Sequence, residues 1–336
     1  MGTDLVFLTG ATGFVGKHIL TALLENGYRV RALARPHKPG EHVENGIVTA
    51  SQNCDVVTGD LRHTGDLVDA LRGCRYVVHC AALYSFSPRD RALIHDVNVT
   101  GTAGLLAAAH LAGVERAVVT SSSAAVGHEH NGRPATEENW ALDDNRGSYH
   151  RSKLDQERAA FASRVPVITV LPTAPVGPGD WKPTPTGKMV LDFARGKMIA
   201  KPPGNGGMNL VAVEDVARAH VAAIERGRTG ERYIVGGENV SFDLIWQMLA
   251  EITGQRIPRW RTPYALAYAA ALVDEARCRL QPDAQPFVPL EGVRMSRERM
   301  YVDTSKAMRE LGHKPRAVRA ALERAVTWYR ANGYLN

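Results

Sequence analysis

The stretch Leu5–Gly16, LVFLTGATGFVG, constrains this chain more than any other. Leu5, Val6, Phe7 and Leu8 form an unbroken apolar run, as in a strand covered on both faces within a parallel sheet. Glycines follow at Gly10, Gly13 and Gly16, and Lys17–Asn26 has the pattern of a helix. In that context each glycine has a physical reason. Gly10 permits the tight turn, Gly13 leaves room for a pyrophosphate, and Gly16 lets the helix pack against the strand. The helix N-terminus then offers free N–H groups and partial positive charge to the phosphates. Contacts to a dinucleotide are therefore expected from Gly10, Thr12, Gly13, Phe14, Val15 and Gly16.

At 336 residues the chain suffices for one large domain or a domain with a lobe. A hydrophobic fraction of 44% with 23% charged residues places it among ordinary globular proteins, and no apolar segment is long enough to span a bilayer. The net charge of +6 is spread without a basic run, which favours small anions or a membrane surface slightly and argues against nucleic acid. The cysteines Cys54, Cys74, Cys80 and Cys278 form no CxxC pair, and no signal peptide precedes the first strand. Reduced thiols in a cytoplasmic protein are expected, with no metal site.

The second strand, Tyr28–Ala34, ends in Ala34-Arg35 where a protein preferring NAD usually has an acidic residue to accept from the ribose 2′-OH. Without that carboxylate, Arg35 can pair with a 2′-phosphate, which points to NADP(H) ahead of NAD(H); the plain alternative is a solvated arginine. Gly40–Gln52 is polar and reads as a loop. The strand Asp55–Thr58 ends in Gly59-Asp60-Leu61; Asp60 either bonds the adenine or caps the helix Thr64–Leu71. After the strand Tyr76–Cys80, the small residues Ala81 and Ala82 let the backbone approach the cofactor, and His79 reads as a packed strand-end residue.

Ala92–Gly113 reads as one long helix, within which Asn98 either braces the site through a backbone bond or is a satisfied core amide. The strand Arg116–Thr120 opens into Thr120-Ser121-Ser122-Ser123, hydroxyls at the carboxyl edge of the sheet, where doubly wound folds bind ligands. Tyr149 and Lys153 lie one turn apart on the helix Tyr149–Arg164 and share a face. A neighbouring ammonium favours the phenolate, so Lys153 is expected to lower the phenol's pKa toward the range useful for proton transfer.

Beyond the strand Val165–Leu171 and Pro172-Thr173, residues 174–187 are proline-rich and read as a rigid loop carrying Trp181. Helices are expected at Lys188–Arg195, Glu214–Arg226 and Ser241–Thr253, with Ser241 as cap. Strands are expected at Asn209–Val213 and Glu231–Val235, and Pro258–Asn336 is mostly helical. The division implied is a dinucleotide-binding domain at 1–171 and a substrate region at 172–336, of which about 207–235 returns to the main sheet. Tyr264–Val273, preceded by Arg256, Arg259 and Arg261, is either a packed helix of the lobe or an interfacial segment touching lipid. Tyr84, Phe86 and Trp181 lie on loops expected to face the pocket. They favour a hydrophobic or ring-bearing small molecule, although ordinary loop aromatics would look the same.

These motifs resemble the extended short-chain dehydrogenase/reductase superfamily over essentially the whole chain, in the branch of nucleotide-sugar epimerases and dihydroflavonol reductases. The likeness is greatest to its hopanoid-associated sugar epimerase group. LTGATGFVG (Leu8–Gly16), KPTPTG (Lys182–Gly187), GERYIVGGEN (Gly230–Asn239), EGVRMSRERM (Glu291–Met300) and RANGYL (Arg330–Leu335) carry it. The resemblance implies an α/β fold, a doubly wound parallel Rossmann sheet with a smaller, mostly helical C-terminal substrate lobe. It implies a catalytic set of Tyr149, Lys153 and Ser122, with Ser123 as the one-residue alternative at the substrate. Pro172 and Thr173 would flank the nicotinamide, and Asp60 would sit on the adenine side. Leu61, Asn98 and Thr120 are further expected cofactor neighbours. A homodimer through the Ala92–Gly113 and Tyr149–Arg164 helices is usual in the superfamily.

Two departures matter. Sugar dehydratases of the superfamily carry an Asp-Glu pair beside the catalytic hydroxyl, whereas Ser122 is followed by Ser123-Ala124-Ala125. Ala212 stands where the epimerase group often has a histidine. Net carbonyl reduction with NADPH is the first expectation, NAD-dependent sugar epimerisation the second, and a non-catalytic dinucleotide sensor the third.

Overall fold

The structure, a computed structural model, describes residues 4–35, 53–63, 65, 67–85, 88–127, 132–141, 148–281, 287–288 and 290–335. The expected loop at Gly40–Gln52 lies outside them. In chain order the elements begin β1 (Leu5–Thr9), α1 (Phe14–Glu25), β2 (Arg29–Ala34), β3 (Cys54–Thr58), α2 (Leu67–Leu71), β4 (Tyr76–His79), α3 (Arg91–His95), α4 (Gly101–Leu111) and β5 (Arg116–Thr120). They continue with α5 (Ser148–Phe161), β6 (Val167–Pro172), β7 (Ala174–Val176), α6 (Pro185–Ala194), β8 (Gly207–Ala212), α7 (Val213–Arg226), β9 (Arg232–Val235) and β10 (Glu238–Ser241). The C-terminal portion holds α8 (Phe242–Thr253), α9 (Tyr264–Leu280), α10 (Leu290–Met295), β11 (Arg299–Met300), α11 (Ser305–Glu310) and α12 (Val318–Ala331).

Seven parallel strands run in the order β3-β2-β1-β4-β5-β6-β9. Alternation along β1 shows why the strand had to be apolar throughout. Val6 and Leu8 join a core with Ile19, Leu23 and Ile224 on the α1/α7 face. Phe7 joins Leu105, Leu106 and Ala160 on the α4/α5 face. This is the expected doubly wound α/β sheet, and the order reverses between β1 and β4, where such sheets open a ligand crevice.

A second sheet forms the lobe. β8 pairs antiparallel with β10 on one side and parallel with β11 and then β7 on the other. Of the stretch expected to return to the main sheet, β9 does pair there and α7 packs on its face, but Gly207–Ala212 pairs only within the second sheet. Its first residue shows the reason: a Cβ on Gly207 would stand 2.5 Å from the Val240 carbonyl oxygen, so β10 approaches too closely for any larger residue. The lobe core joins Val176, Phe193, Leu210, Trp246, Leu322 and Tyr329.

Two expected elements are corrected. The helix Ala92–Gly113 is broken by a π turn at Asp96–Thr100 between α3 and α4. Val97, Val99 and Thr100 are β-branched, and Gly101 follows, so the helix is weakest there, and such π turns collect at functional positions. The proline-rich loop is partly structured: Ala174–Val176 is a strand and Pro185 opens α6, with Thr184 capping it by accepting from Gly187 N at 3.1 Å. All four cysteines are unpaired. Among the described residues no helix is long and apolar enough to cross a membrane, and no cluster of potential metal ligands occurs.

Candidate active site

The turn after β1 is built from atoms that leave no room for side chains. Gly10 has φ 76°, and a Cβ there would stand 2.6 Å from Ala81 N; a Cβ on Gly16 would stand 1.9 Å from the Gly10 carbonyl oxygen. Gly13 is different: its Cβ would meet only Gly10 O at 3.3 Å, so its constraint comes from the open side. It is the N-cap of α1 with extended backbone and no side-chain cap, which leaves the helix's first N–H groups for a ligand. Thr12 is exposed beside it, Phe14 turns its ring edge-on to His18 at 5.9 Å, and Val15 packs against the core. This cradle fits a pyrophosphate on the chain's own geometry.

At the neighbouring strand ends, Arg35 is exposed immediately after β2. Asp60 is gripped by Arg62, whose Nη2 stands 2.6 Å from Oδ2 and whose Nε stands 3.1 Å from each oxygen. That hydrogen bonding holds the carboxyl down at about 2. Leu61 is buried in the core, with its Cβ and carbonyl oxygen against Gly101.

Ser122, Tyr149 and Lys153 come together where β5 and α5 meet. The Ser122 hydroxyl accepts from Ala124 N at 3.1 Å and shares a hydrogen bond with the Tyr149 phenol. Burial pushes that phenol up to about 12, and the Ser122 bond opposes the shift. This corrects the expectation that Lys153 lowers it. Lys153 is turned instead to the Thr120 carbonyl, 2.8 Å away, and to Gln156 Oε1 at 2.6 Å. Burial brings its ammonium down to about 8. Desolvation outweighs the charge of a lysine that points elsewhere. Ser123, half-buried, lies in the short turn after Ser122, where its carbonyl accepts from Val126 N.

Behind Lys153 runs a hydrogen-bond chain that the sequence reading missed. Gln156 Nε2 donates to Thr102 Oγ1 at 3.0 Å, and Thr102 donates to Asn98 O at 2.6 Å. Since that hydroxyl proton is committed, His79 Nε2, 2.8 Å from the same oxygen, must donate to it. His79 Nδ1 therefore accepts from Thr9 Oγ1 at 2.7 Å, and Thr9 in turn accepts from Ala81 N. Burial holds His79 at about 3, so the ring is neutral. Gln156 and Glu157 lie three and four residues after Lys153, on its inward face, and that spacing was the signal available.

Glu157 forms a buried ion pair with Arg232 at 3.0 Å and accepts from Thr169 at 2.6 Å. Arg232 also donates to the carbonyls of Ala125 and Glu137 and lies 3.8 Å over the Trp140 ring. It thereby ties the turn after Ser122 to α5. Thr120 Oγ1 bonds His220, which burial holds at about 4.

The remaining expected residues divide. Asn98, fully buried, accepts from Leu83 N at 2.7 Å and donates to Leu83 O and Ser152 Oγ, so its side chain braces the loop after β4 and α5. Ala81 is half-buried and Ala82 exposed along that loop. Pro172 is buried at the end of β6, and Thr173 donates its hydroxyl to Asn209 Oδ1 at 2.9 Å. The Tyr84 ring lies 4.3 Å from that of Tyr149, against the catalytic candidate itself. Phe86 lies outside the described residues. Trp181 does not join this group: its ring meets Trp328 edge-on at 4.7 Å with Lys17 over its face, so stacking within the lobe fixes it. From the lobe, Glu291 of α10 meets His150, the neighbour of Tyr149.

Comparisons with known proteins place the chain in a family. The model of the NAD dependent epimerase/dehydratase family matches residues 6–236. The chain is 40% identical to a putative dihydroflavonol 4-reductase of Synechocystis sp., covering 99% of this chain and 96% of the other. It is 36% identical to sterol demethylase protein B of Methylococcus capsulatus, covering 98% and 99%. A nucleoside-diphosphate-sugar epimerase from Pseudomonas aeruginosa superposes with a TM-score of 0.78 at 25% identity, covering 99% of each chain.

Proposed function

Because the chain belongs to the NAD dependent epimerase/dehydratase family and is an NAD(P)-dependent enzyme of the short-chain dehydrogenase/reductase type, we propose that it catalyses net reduction of a carbonyl on a hydrophobic, ring-bearing small molecule, using NADPH in the cytoplasm. The observation that carries the reading is aromatic surface at the reacting centre: the Tyr84 ring lies against that of Tyr149, and an apolar ring suits such a border better than a bare sugar does. The relatives named for dihydroflavonol and sterol support it. So does the exposed Arg35 at an end of β2 that has no carboxylate to repel a 2′-phosphate.

The turn Gly10–Gly16 with the α1 N-terminus would hold the pyrophosphate, Arg35 the 2′-phosphate, and Pro172 and Thr173 the nicotinamide side. Bound there, the dinucleotide supplies the hydride. The rest is the work of the chain's own groups. Tyr149, kept protonated by burial, donates its proton to the substrate oxygen. Ser122 holds that oxygen beside the phenol. Lys153, anchored on Thr120 O and Gln156, places its charge near the same centre and orients the ribose.

The test is cofactor stoichiometry. Purified enzyme should consume NADPH one-for-one with a panel of ring-bearing ketones. Tightly retained NAD⁺, with inversion of a nucleotide sugar and no net change in nicotinamide absorbance, would replace this reading with epimerisation.

A further inference from the structure

The helix α9 carries its larger aliphatic side chains outward. The side it buries holds Ala267, Ala271, Asp274 and Cys278. The opposite side presents Leu266, Val273 and Leu280, spaced seven residues apart and 63, 72 and 83% exposed. Alanines 265, 269, 270 and 276 lie exposed between them. A helix at an ordinary water-facing surface has the reverse arrangement. Exposed apolar side chains also flank both ends. Trp260, just before the helix, is 82% exposed; backbone bonds from Lys201 N to Trp260 O and from Thr262 N to Lys201 O bring the exposed Ile199 beside it. Beyond the other end, Phe287 is exposed with the Arg277 guanidinium 4.5 Å over its ring. So many large apolar side chains exposed along one helix face and at its ends mark an interaction site.

Its border nearest Trp260 is cationic: Lys197, Arg256 and Arg259 are exposed there, close in sequence to Ile199 and Trp260. Among the described residues, acidic neighbours turn away or are paired: Asp274 is buried against Arg277, Glu275 bonds Arg279, and Asp243 bonds Arg261 and Lys201. A second copy seated here would bring these cations against their like. An anionic lipid surface would meet them with opposite charge while receiving the leucines and tryptophan.

We propose that the outer face of α9, with Trp260 and Ile199, docks on a bilayer surface containing anionic lipid. The location gives this a use. Arg279 O accepts from Arg89, on the segment that follows Tyr84, and α10, packed on α9, carries Glu291 to His150 beside Tyr149. Docking through α9 therefore holds the site's mouth at the membrane, where an apolar substrate is dissolved. The docking surface stands on its own observations, and only this delivery role rests on the proposed apolar substrate.

The test is co-sedimentation of the full chain with vesicles of phosphatidylcholine alone or mixed with about one-third phosphatidylglycerol. The protein is expected to pellet with the anionic vesicles, with a blue shift in tryptophan emission that Trp260→Phe removes. Leu266→Ser/Val273→Ser/Leu280→Ser should reduce the bound fraction about ten-fold, with unchanged circular dichroism and NADPH affinity. Failure of the wild type to bind, or equal binding by the triple variant, overturns the proposal. So does a wild-type dimer that the triple variant turns into a monomer without lipid. None of these outcomes touches cofactor stoichiometry, which tests the reaction separately.

Discussion

The two sides of the cleft hold their polar groups differently. On the side of the seven-stranded sheet, the residues behind the reacting centre are buried and bonded to one another: Thr9, His79, Thr102, Gln156 and Lys153 in one chain, Arg232 and Glu157 in a pair beside it. On the lobe side, rings and short polar ties do the holding. Trp181 abuts Trp328, Asn209 donates to Asn239, and Glu291 reaches across to His150. A buried, fully bonded network fixes geometry at high cost to any change, whereas a packed aromatic rim tolerates repacking. The candidate catalytic groups Ser122, Tyr149 and Lys153 belong to the first side.

Tyr149→Phe should give the largest effect, lowering kcat by about 10²–10⁴-fold with NADPH affinity kept, as read by steady-state turnover and calorimetry. A comparable loss of kcat in Glu291→Gln would break the division between the two sides. Arg232→Met comes next, since it leaves Glu157 buried without its partner; urea unfolding should show a loss of about 3–5 kcal/mol. The neutral imidazoles sharpen the same point. His79 and His220 are held at about 3 and about 4, below the ordinary 6.5, so the unfolded chain binds protons that the folded one refuses. Stability is therefore full above about pH 6.5 and falls as pH drops toward about 4 for His220 and about 3 for His79, by up to about 1.4 kcal/mol per pH unit for each ring. His220→Gln should flatten its share of that slope in thermal melts. Arg35→Ala should weaken NADPH about ten-fold and NADH little; equal weakening would remove the assignment of the 2′-phosphate. The smallest effect is expected from Trp181→Phe, a stability change below about 1 kcal/mol with KM unchanged. A raised KM would return Trp181 to the pocket.

The main sheet was legible because its signals are local. An apolar run, glycines at fixed offsets and a helix pattern lie within Leu5–Asn26, and Tyr149 and Lys153 declare themselves by one helical turn. What escaped was set by distant partners. Gly207–Ala212 has the pattern of a strand in either sheet, and only β10, β11 and β7 decide which. The phenol's pKa depends on burial, which the spacing of Tyr149 and Lys153 does not encode. The edge of the Trp181 ring meets Trp328, some 150 residues later, a contact that no local pattern announces. The π turn at Asp96–Thr100 has a local cause, but it is a balance of small propensities inside a convincing helix pattern.

The chain from Thr9 to Lys153 has a further consequence, for charge traffic. Its donors have fixed senses: Lys153 gives to the Gln156 oxygen, Gln156 gives from its nitrogen to Thr102, and His79 gives to Thr102 from the other side. Two donors converge on one hydroxyl, and an amide sits between that hydroxyl and the lysine. An amide cannot accept a proton at oxygen and release one from nitrogen without becoming an imidic acid, and the buried imidazole is held far from protonation. The chain therefore aims Lys153 without conducting from it. With Tyr149 as the proton donor proposed above, this chain does not resupply it, and the ligand-facing side of the cleft is the route left, which would make the substrate's entrance also the site's electrolyte contact.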